Sequence, residues 1–431
     1  MPHRTPAGQV AYVNARLLDP ATGLDAIGTL LTSGEFITAF GQDVTAPPGY
    51  TVVDCQGLCL APGLVDMRVQ LREPGEEHKE TLKSAGESAV AGGITSMVCL
   101  PNTDPVIDEV ATVEFVARRA RKIGLAKVYP YAAATKKLEG LELAEMGFLM
   151  EAGALAFTDG TKAIKDAGIM RRALSYAATF GAMIVQHPEE PSLASGGAMN
   201  AGELATRMGL SGVPRVAEVI MLERDIRLVE MTGGRYHAAH VSTKEGVEVI
   251  AKAKARGLPI TCDTAPPYFA LNELAVGDYR TFAKLSPPLR TEADRQAIVQ
   301  AIKDGTIDAI GSDHAPQDSD SKRQPFAQAE FGGVGLETLL PVTLELFHNG
   351  HLGLLDALKL VTSAPADLLG LKAGRLKVGA AADLMLFDPS RAWKVDPYQF
   401  RSKSKNSPFD ARLVQGMVVR TVVDGRSVFV K

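Results

Sequence analysis

The sequence has few cysteines, no long apolar run and little excess charge, and each shortage excludes a class of protein. Four cysteines in 431 residues, Cys55, Cys59, Cys99 and Cys262, fit neither a disulfide framework nor a cysteine zinc site and indicate a reduced, cytoplasmic protein. No apolar run approaches the ~20 residues that span a bilayer. The start of the chain, residues 1–5, lacks the apolar core of a signal peptide. With a formal net charge of -4, we expect neither nucleic-acid nor membrane binding.

The remaining composition is that of a globular protein, with 46% hydrophobic and 22% charged residues. A length of 431 residues exceeds one ordinary domain and suits a large barrel with a smaller companion. Short β-like segments between Gly- and Pro-rich turns occur at both ends, for example at 36–40 and 418–423. We therefore predict one small β-sandwich domain, built from residues 1–60 and 371–431.

The middle of the chain alternates apolar strands with helical segments. Strands are predicted at 64–67, 96–100, 128–134, 154–159, 182–187, 236–242, 259–264 and 308–313. Helices are predicted at 80–91, 110–123, 170–179, 216–231, 244–256 and 292–303. Eight βα units in a row predict an α/β fold, a (β/α)₈ TIM barrel over residues 61–370, with its chemistry at the carboxyl ends of the strands. The irregular segment 317–331 is expected to form a mobile flap over the barrel mouth.

The first barrel strand carries an unusual set of polar residues. Asp66, Arg68 and Gln70 are two residues apart, so they project from the same face of the strand. In a metal-dependent hydrolase this face would carry a His-x-His pair on one ion. A guanidinium is not a metal ligand at ordinary pH, because it stays protonated. Arg68 and Gln70 therefore stand at positions where metal ligands are replaced.

Four other residues at predicted strand ends form a candidate site. His187 and His240, with the carboxylate of Asp159, meet the ligand count of a catalytic zinc, and Asp313 would be the general base. For any single histidine a structural role is the better expectation. His237, three residues before His240, faces the other side of its strand and is interpreted as structural.

Motifs along nearly the whole chain resemble a known family. They are Leu-Arg-Glu-Pro-Gly at 71–75, Leu-Pro-Asn-Thr at 100–103, Gly-Gly-Ala-Met-Asn at 196–200, Ala-His-Val-Ser-Thr at 239–243, Ser-Asp-His-Ala-Pro at 312–316 and Gly-Val-Gly-Leu-Glu-Thr at 333–338. The chain resembles the bacterial dihydroorotases that associate with aspartate transcarbamoylase, within the amidohydrolase superfamily. The resemblance implies reversible cyclisation of carbamoyl aspartate to dihydroorotate, with Arg72 and Asn102 binding the substrate carboxylate. It also implies assembly with aspartate transcarbamoylase or with further copies of the chain.

The departures from the family pattern cluster at positions where the family has residues for metal binding and catalysis. Besides Arg68 and Gln70, they include Gln317 in place of a second histidine, Ser286 in place of an asparagine, and Pro267 and Tyr268 in place of a histidine pair. The expected Asp-Asp-Gly after strand 4 is Asp159-Gly160-Thr161, so the identity of the strand-4 acid ligand stays open.

Three hypotheses follow. The first is a dihydroorotase-like protein that is impaired or inactive and acts as a structural partner of aspartate transcarbamoylase. The second is an active cyclic amidohydrolase with one metal on Asp159, His187 and His240 and with Asp313 as base. The third is an amidohydrolase for another substrate, against which the presence of Arg72 and Asn102 speaks. We expect at most one weakly bound zinc, or none.

The place of the Arg68 side chain is open between two alternatives. In one, its guanidinium fills the position of the missing inner metal and pairs with Asp313, because buried carboxylates need a compensating charge. In the other, it bends towards solvent or pairs only with Asp66.

Overall fold

The structure, a computed structural model, describes residues 8–431, so the first seven residues of the predicted β domain lie outside it. Its strands are β1 Gln9–Asp19, β2 Leu24–Ser33, β3 Phe36–Gly41, β4 Thr51–Asp54, β5 Cys59–Pro62, β6 Leu64–Val69, β7 Ile94–Cys99, β8 Lys127–Pro130, β9 Met183–Gln186, β10 Met199–Asn200, β11 Gly212–Val213, β12 Arg235–Ala238, β13 Ile260–Thr264, β14 Ala309–Ile310, β15 Leu384–Lys394, β16 Leu413–Val423 and β17 Arg426–Val430.

In residues 8–431, six helices follow the predicted segments closely, and eight further helices lie outside those segments. They are α1 Leu82–Ala91, α2 Val110–Ile123, α3 Met146–Glu151, α4 Ala167–Ala178, α5 Pro191–Ala194, α6 Glu203–Met208, α7 Val216–Thr232, α8 Lys244–Ala255, α9 Pro266–Ala270, α10 Glu292–Lys303, α11 Ser319–Lys322, α12 Leu339–His348, α13 Leu354–Lys359 and α14 Ser363–Leu368. Short 3₁₀ turns lie at Lys136–Leu138, Glu273–Val276, Thr281–Ala283 and Pro397–Gln399. In residues 8–431 no helix has the length and apolarity to cross a membrane.

Strands from both ends of the chain form one eight-stranded sheet. Its order is β17-β16-β15-β5-β1-β2-β3, and β4 pairs with β1. The two ends meet where β15 pairs antiparallel with β5, from Leu384 opposite Pro62 to Phe387 opposite Cys59. The residue after β5 is Gly63 and the barrel starts at Leu64, so this sheet sets the entry point of the first barrel strand.

The parallel strands of the middle segment form the barrel. One run is β6-β7-β8 and another is β9-β12-β13-β14. Isolated parallel bridges join them, Ala132 to Phe157 and Phe157 to Ile184 on one side, and Val69 to His314 on the other. The predicted α/β fold, a (β/α)₈ barrel with a β domain made from both ends, is therefore confirmed. The domain limits at 60/61 and 370/371 stay a prediction.

Strand 4 of the barrel is less regular than predicted. The segment 154–159 is not a continuous strand, although the N–H groups of Leu155 and Phe157 donate to Pro130 (3.0 Å) and Met183 (3.0 Å) of the two neighbouring strands. Strand 8 is likewise short, at Ala309–Ile310. Pairing of the fourth strand nevertheless continues to Thr158, whose N–H donates to the Ala132 carbonyl (2.9 Å) and whose carbonyl accepts from the Ala134 N–H (3.2 Å).

A return segment, residues 401–407, crosses the barrel mouth between β15 and β16. The Asn406 side chain donates to the carbonyl oxygens of Ala315 (3.3 Å) and Gly332 (2.9 Å), and it accepts from the N–H of Gln317 (3.2 Å). The half-buried carboxylate of Glu337 accepts from Ser88 Oγ (2.9 Å) and from the N–H of Arg401 (2.6 Å). The return segment thereby joins the β domain to the loops around the site.

Candidate active site

Strand β6 and the residue after it carry Asp66, Arg68 and Gln70 to the barrel mouth. The buried Asp66 Oδ1 accepts from the backbone N–H of Arg68 (3.2 Å) and Ser312 (3.0 Å), and burial raises the pKa of this carboxyl to about 6. Gln70 Oε1 accepts from Asn102 Nδ2 at 3.1 Å. The face of β6 thus presents an acid, a cation and an amide.

The Arg68 side chain is 2% exposed and turns inward. Its Nε lies 2.9 Å from Asp313 Oδ1, and its Nη2 donates to the carbonyl of Gly160 at 3.3 Å. The predicted pair of Arg68 with Asp313 is therefore confirmed, and the alternative of a solvent-facing guanidinium is wrong. A permanent cation neutralises the carboxylate that was expected to act as base.

Two imidazoles continue this row of contacts. His240 Nδ1 is 3.1 Å from Asp313 Oδ2, and His240 Nε2 is 2.8 Å from His187 Nδ1. Burial, with Arg68 as the next cause, lowers the pKa of His240 to about 4, so this imidazole is neutral near pH 7. Burial alone would raise the pKa of Asp313, but His240 and Arg68 hold it below its usual value. The row therefore carries one fixed positive and one fixed negative charge on Arg68 and Asp313.

Glu189 extends the row and was missed by the sequence interpretation. Its Oε1 lies 3.6 Å from His187 Nε2. Burial opposes ionisation, yet His187 lowers the pKa of Glu189 below its usual value. Its position two residues after His187 was the available signal, because alternate residues of an extended segment share a face.

The Asp159 carboxylate is held elsewhere. Its Oδ1 accepts from the N–H of Thr135 (2.9 Å) and its Oδ2 from Thr135 Oγ1 (2.6 Å), while burial raises its pKa. In residues 8–431 no group of three or more His, Cys, Asp or Glu side chains is placed to hold a metal ion. The ligand set expected from the sequence, Asp159 with His187 and His240, is therefore not assembled.

The donor set does not fit the zinc that the family pattern implies. Two facing imidazole nitrogens fall one short of the three protein ligands of a catalytic zinc. The Arg68 cation beside Asp313 would also repel a second cation. We therefore assign no metal-dependent step to these residues.

A cavity of about 430 Å³ opens at this end of the barrel, and Arg68, Arg72, Asn102, His240, Asp313 and Gln317 are among its lining residues. The Arg72 Nη1 is 2.8 Å from Glu76 Oε2, and its Nε donates to the Pro316 carbonyl at 3.2 Å. A larger cavity of about 790 Å³ lies beside α2 and β8, but none of the predicted site residues lines it. The predicted substrate and base residues thus share one cavity.

Three lining residues have a left-handed backbone, with φ of 61° at Arg72, 40° at His240 and 50° at Asp313. Side chains other than glycine adopt this region at a cost, and such residues concentrate at binding and catalytic sites. Their clustering around one cavity indicates that the fold maintains the geometry of a site.

Two buried lysines secure the flap over this cavity. Lys322 Nζ donates to the carbonyl oxygens of Thr281 (3.0 Å) and Glu330 (2.6 Å), and Lys284 Nζ donates to that of Ala329 (2.6 Å). Burial lowers the pKa of Lys322 to about 7. The sequence had no signal for these contacts, because lysines in a charged loop ordinarily face solvent.

Known proteins similar to the chain point to one family. A family model described as "Dihydro-orotase-like" matches residues 57–246, and one described as "Amidohydrolase family" matches residues 297–429. The dihydroorotase of Anaplasma phagocytophilum is 45% identical, over 97% of this chain and 95% of that protein. The dihydroorotase of Syntrophotalea carbinolica is 45% identical, over 97% of this chain and 98% of that protein. The chain belongs to the dihydroorotase family.

Solved structures agree with this placement in the amidohydrolase superfamily. The L-hydantoinase (dihydropyrimidinase) of Arthrobacter aurescens superposes with a TM-score of 0.88 at 26% identity, covering 98% of this chain and 96% of that one. The dihydropyrimidinase of Brevibacillus agri gives a TM-score of 0.82 at 22% identity, over 97% and 95% of the two chains, and supports the fold alone.

Proposed function

We propose that this dihydroorotase-family chain serves pyrimidine biosynthesis as a ligand-binding, catalytically impaired partner of aspartate transcarbamoylase. The observation that carries the proposal is the contact of 2.9 Å between the buried Arg68 and the partly buried Asp313. It occupies the carboxylate that would otherwise accept a proton from water.

The impairment follows from the charges around Asp313. Hydrolysis of a cyclic amide needs an activated water, and lowering the pKa of a bound water to about 7 is the usual contribution of a metal. Without that contribution a side chain must act as a base. Asp313 is a weak base, because Arg68 and His240 keep its pKa below the usual value. His240 is neutral but shares its Nδ1 and Nε2 contacts with Asp313 and His187, which leaves no free ring nitrogen for water.

Ligand binding is supported by what remains in the cavity. Arg72 and Asn102, which in the family bind the substrate carboxylate, both line it. A guanidinium and an amide suit a carboxylate because they present N–H donors in one plane. The left-handed backbone of Arg72 costs free energy, and such strained residues cluster at binding and catalytic sites.

The activity test compares hydrolysis of dihydroorotate by the purified protein with and without added zinc, alongside metal analysis. We expect no turnover above background in either condition and less than one zinc per chain. Turnover that rises with added zinc would overturn the proposal.

The partner test mixes the chain with aspartate transcarbamoylase of the same organism. We expect the two to co-elute in size-exclusion chromatography and to cross-link. Separate elution at micromolar concentrations, with transcarbamoylase activity unchanged by the chain, would contradict the structural role.

A further inference from the structure

Two buried polar atoms in residues lining the cavity lack a partner. Among residues 8–431, neither Arg68 Nη1 nor Gln317 Oε1 makes a hydrogen bond. Arg68 is 2% exposed and Gln317 is 5% exposed, and both line the cavity. A buried donor or acceptor left unpaired costs free energy, so each of these atoms fits a ligand that satisfies it.

The two atoms need different partner groups on a ligand. Arg68 Nη1 is a charged donor and takes an oxygen, with a carboxylate oxygen forming a stronger bond than a neutral carbonyl. Gln317 Nε2 already donates to the Phe331 carbonyl at 2.8 Å, so its free Oε1 takes an N–H. A ligand with a carboxylate and an amide N–H, besides the carboxylate for Arg72, satisfies all three positions.

Carbamoyl aspartate and dihydroorotate differ in this respect. The open-chain compound has two carboxylates and a terminal carbamoyl NH₂. Ring closure joins that nitrogen to one carboxyl carbon with loss of water, which leaves one carboxylate and a neutral ring carbonyl. The open form therefore offers Arg68 a charged acceptor that the ring lacks.

The geometry points to a cavity that selects the open-chain ureido dicarboxylate over the cyclic product, with Arg68 binding the second carboxylate and Gln317 the carbamoyl N–H. This inference rests on the proposed function, since it names the ligand of the same site. The two departures at positions 68 and 317 then act together as a selective binding site.

The test titrates chelator-treated protein by calorimetry with carbamoyl aspartate, dihydroorotate and succinate, a dicarboxylate without a carbamoyl group. We expect carbamoyl aspartate to bind about 10-fold more tightly than dihydroorotate, since one charge-assisted hydrogen bond replaces a neutral one. Arg68→Met should abolish this preference, with Arg171→Met as an exposed control.

A second variant keeps the test decisive if Arg68→Met does not fold. Gln317→Met should lower the affinity for carbamoyl aspartate by roughly 3- to 10-fold, which corresponds to the loss of one hydrogen bond. The affinity for succinate should not change. Gln300→Met, exposed on α10, is its control.

The outcomes separate the two proposals. Equal affinity for the two compounds, or tighter binding of dihydroorotate, would overturn this inference and leave the proposed function standing. Turnover of dihydroorotate would overturn the proposed function. Binding of none of the three compounds would overturn the ligand-binding part of both.

Discussion

At the scale of single residues, Arg68 has the largest consequences for the site. It is a buried cation on a strand face where the family pattern has a metal ligand, and Asp313 compensates its charge at 2.9 Å. An ion pair in such surroundings contributes modestly by itself, but breaking it leaves an uncompensated charge. We propose that this one ion pair both stabilises the barrel mouth and impairs catalysis.

Arg68→Met should lower the free energy of unfolding by about 3–5 kcal/mol, because Asp313 is left without its cation. Urea unfolding measures the change. The double variant Arg68→Met with Asp313→Asn should recover most of the loss, and Arg171→Met should have little effect. A loss below about 0.5 kcal/mol, the range of ordinary surface changes, would show that the pair is not structural.

Restoring histidine at positions 68 and 70 should not restore dihydroorotate hydrolysis. Helix α9, which follows β13, places Tyr268 beside the site, where its OH donates to the Pro287 carbonyl at 2.9 Å and its ring lies 6.4 Å from that of His240. The variant also still has Gln317 and Ser286 at positions where the family pattern has histidine and asparagine. The double variant is assayed with added zinc, and sustained turnover would show that the two positions alone account for the impairment.

At the scale of elements, the return segment 401–407 is held in part by the carboxyl of Glu337. Burial raises the pKa of Glu337 to about 7, and its Oε1 accepts from Ser88 and from the N–H of Arg401. The folded state therefore binds this proton more tightly than the unfolded state, whose pKa is near 4.5. The corresponding stability is complete below about pH 4.5 and is lost as the pH rises to about 7.

Glu337→Gln keeps an Oε1 acceptor and removes the ionisation. Between pH 5 and pH 8 the wild type should lose stability relative to the variant. We expect the difference between their free energies of unfolding to change by on the order of 1–3 kcal/mol over this range. Denaturant unfolding at several pH values measures the difference, and Glu35→Gln on the surface is the control. Parallel stability curves for wild type and Glu337→Gln would contradict the role given to this carboxyl.

At the scale of the whole molecule, the two ends of the chain and the barrel form one connected structure. The terminal sheet is followed directly by the first barrel strand after Gly63. The return segment 401–407 contacts the loops of the barrel mouth through Asn406. The charges at the mouth are balanced by Arg68 and Asp313.

Treatment with chelator should accordingly leave the melting temperature unchanged to within about 1 °C, since only a bound ligand raises it by mass action. Differential scanning fluorimetry with and without chelator, and with zinc added back, measures this. A fall of several degrees that zinc reverses would show that a tightly bound metal supports the fold.

Local features of the sequence determined much of this protein. Strand and helix periods repeat within short segments, so the barrel, its helices and the β-rich ends could be predicted from them. The identities of Arg68 and Gln70 alone excluded a His-x-His site, because the proton of a guanidinium does not depend on the fold.

The tertiary structure decided which of these side chains meet. Arg68 pairs with a carboxylate 245 positions away, and nothing near Arg68 in the chain selects Asp313 over Asp66. Asp159 was expected at a metal, but its carboxylate accepts hydrogen bonds from Thr135, a residue 24 positions away. Lys322, itself part of the flap, lies buried although charged residues surround it in the sequence. Such contacts depend on how distant segments pack at the barrel mouth, and no local pattern carries that information.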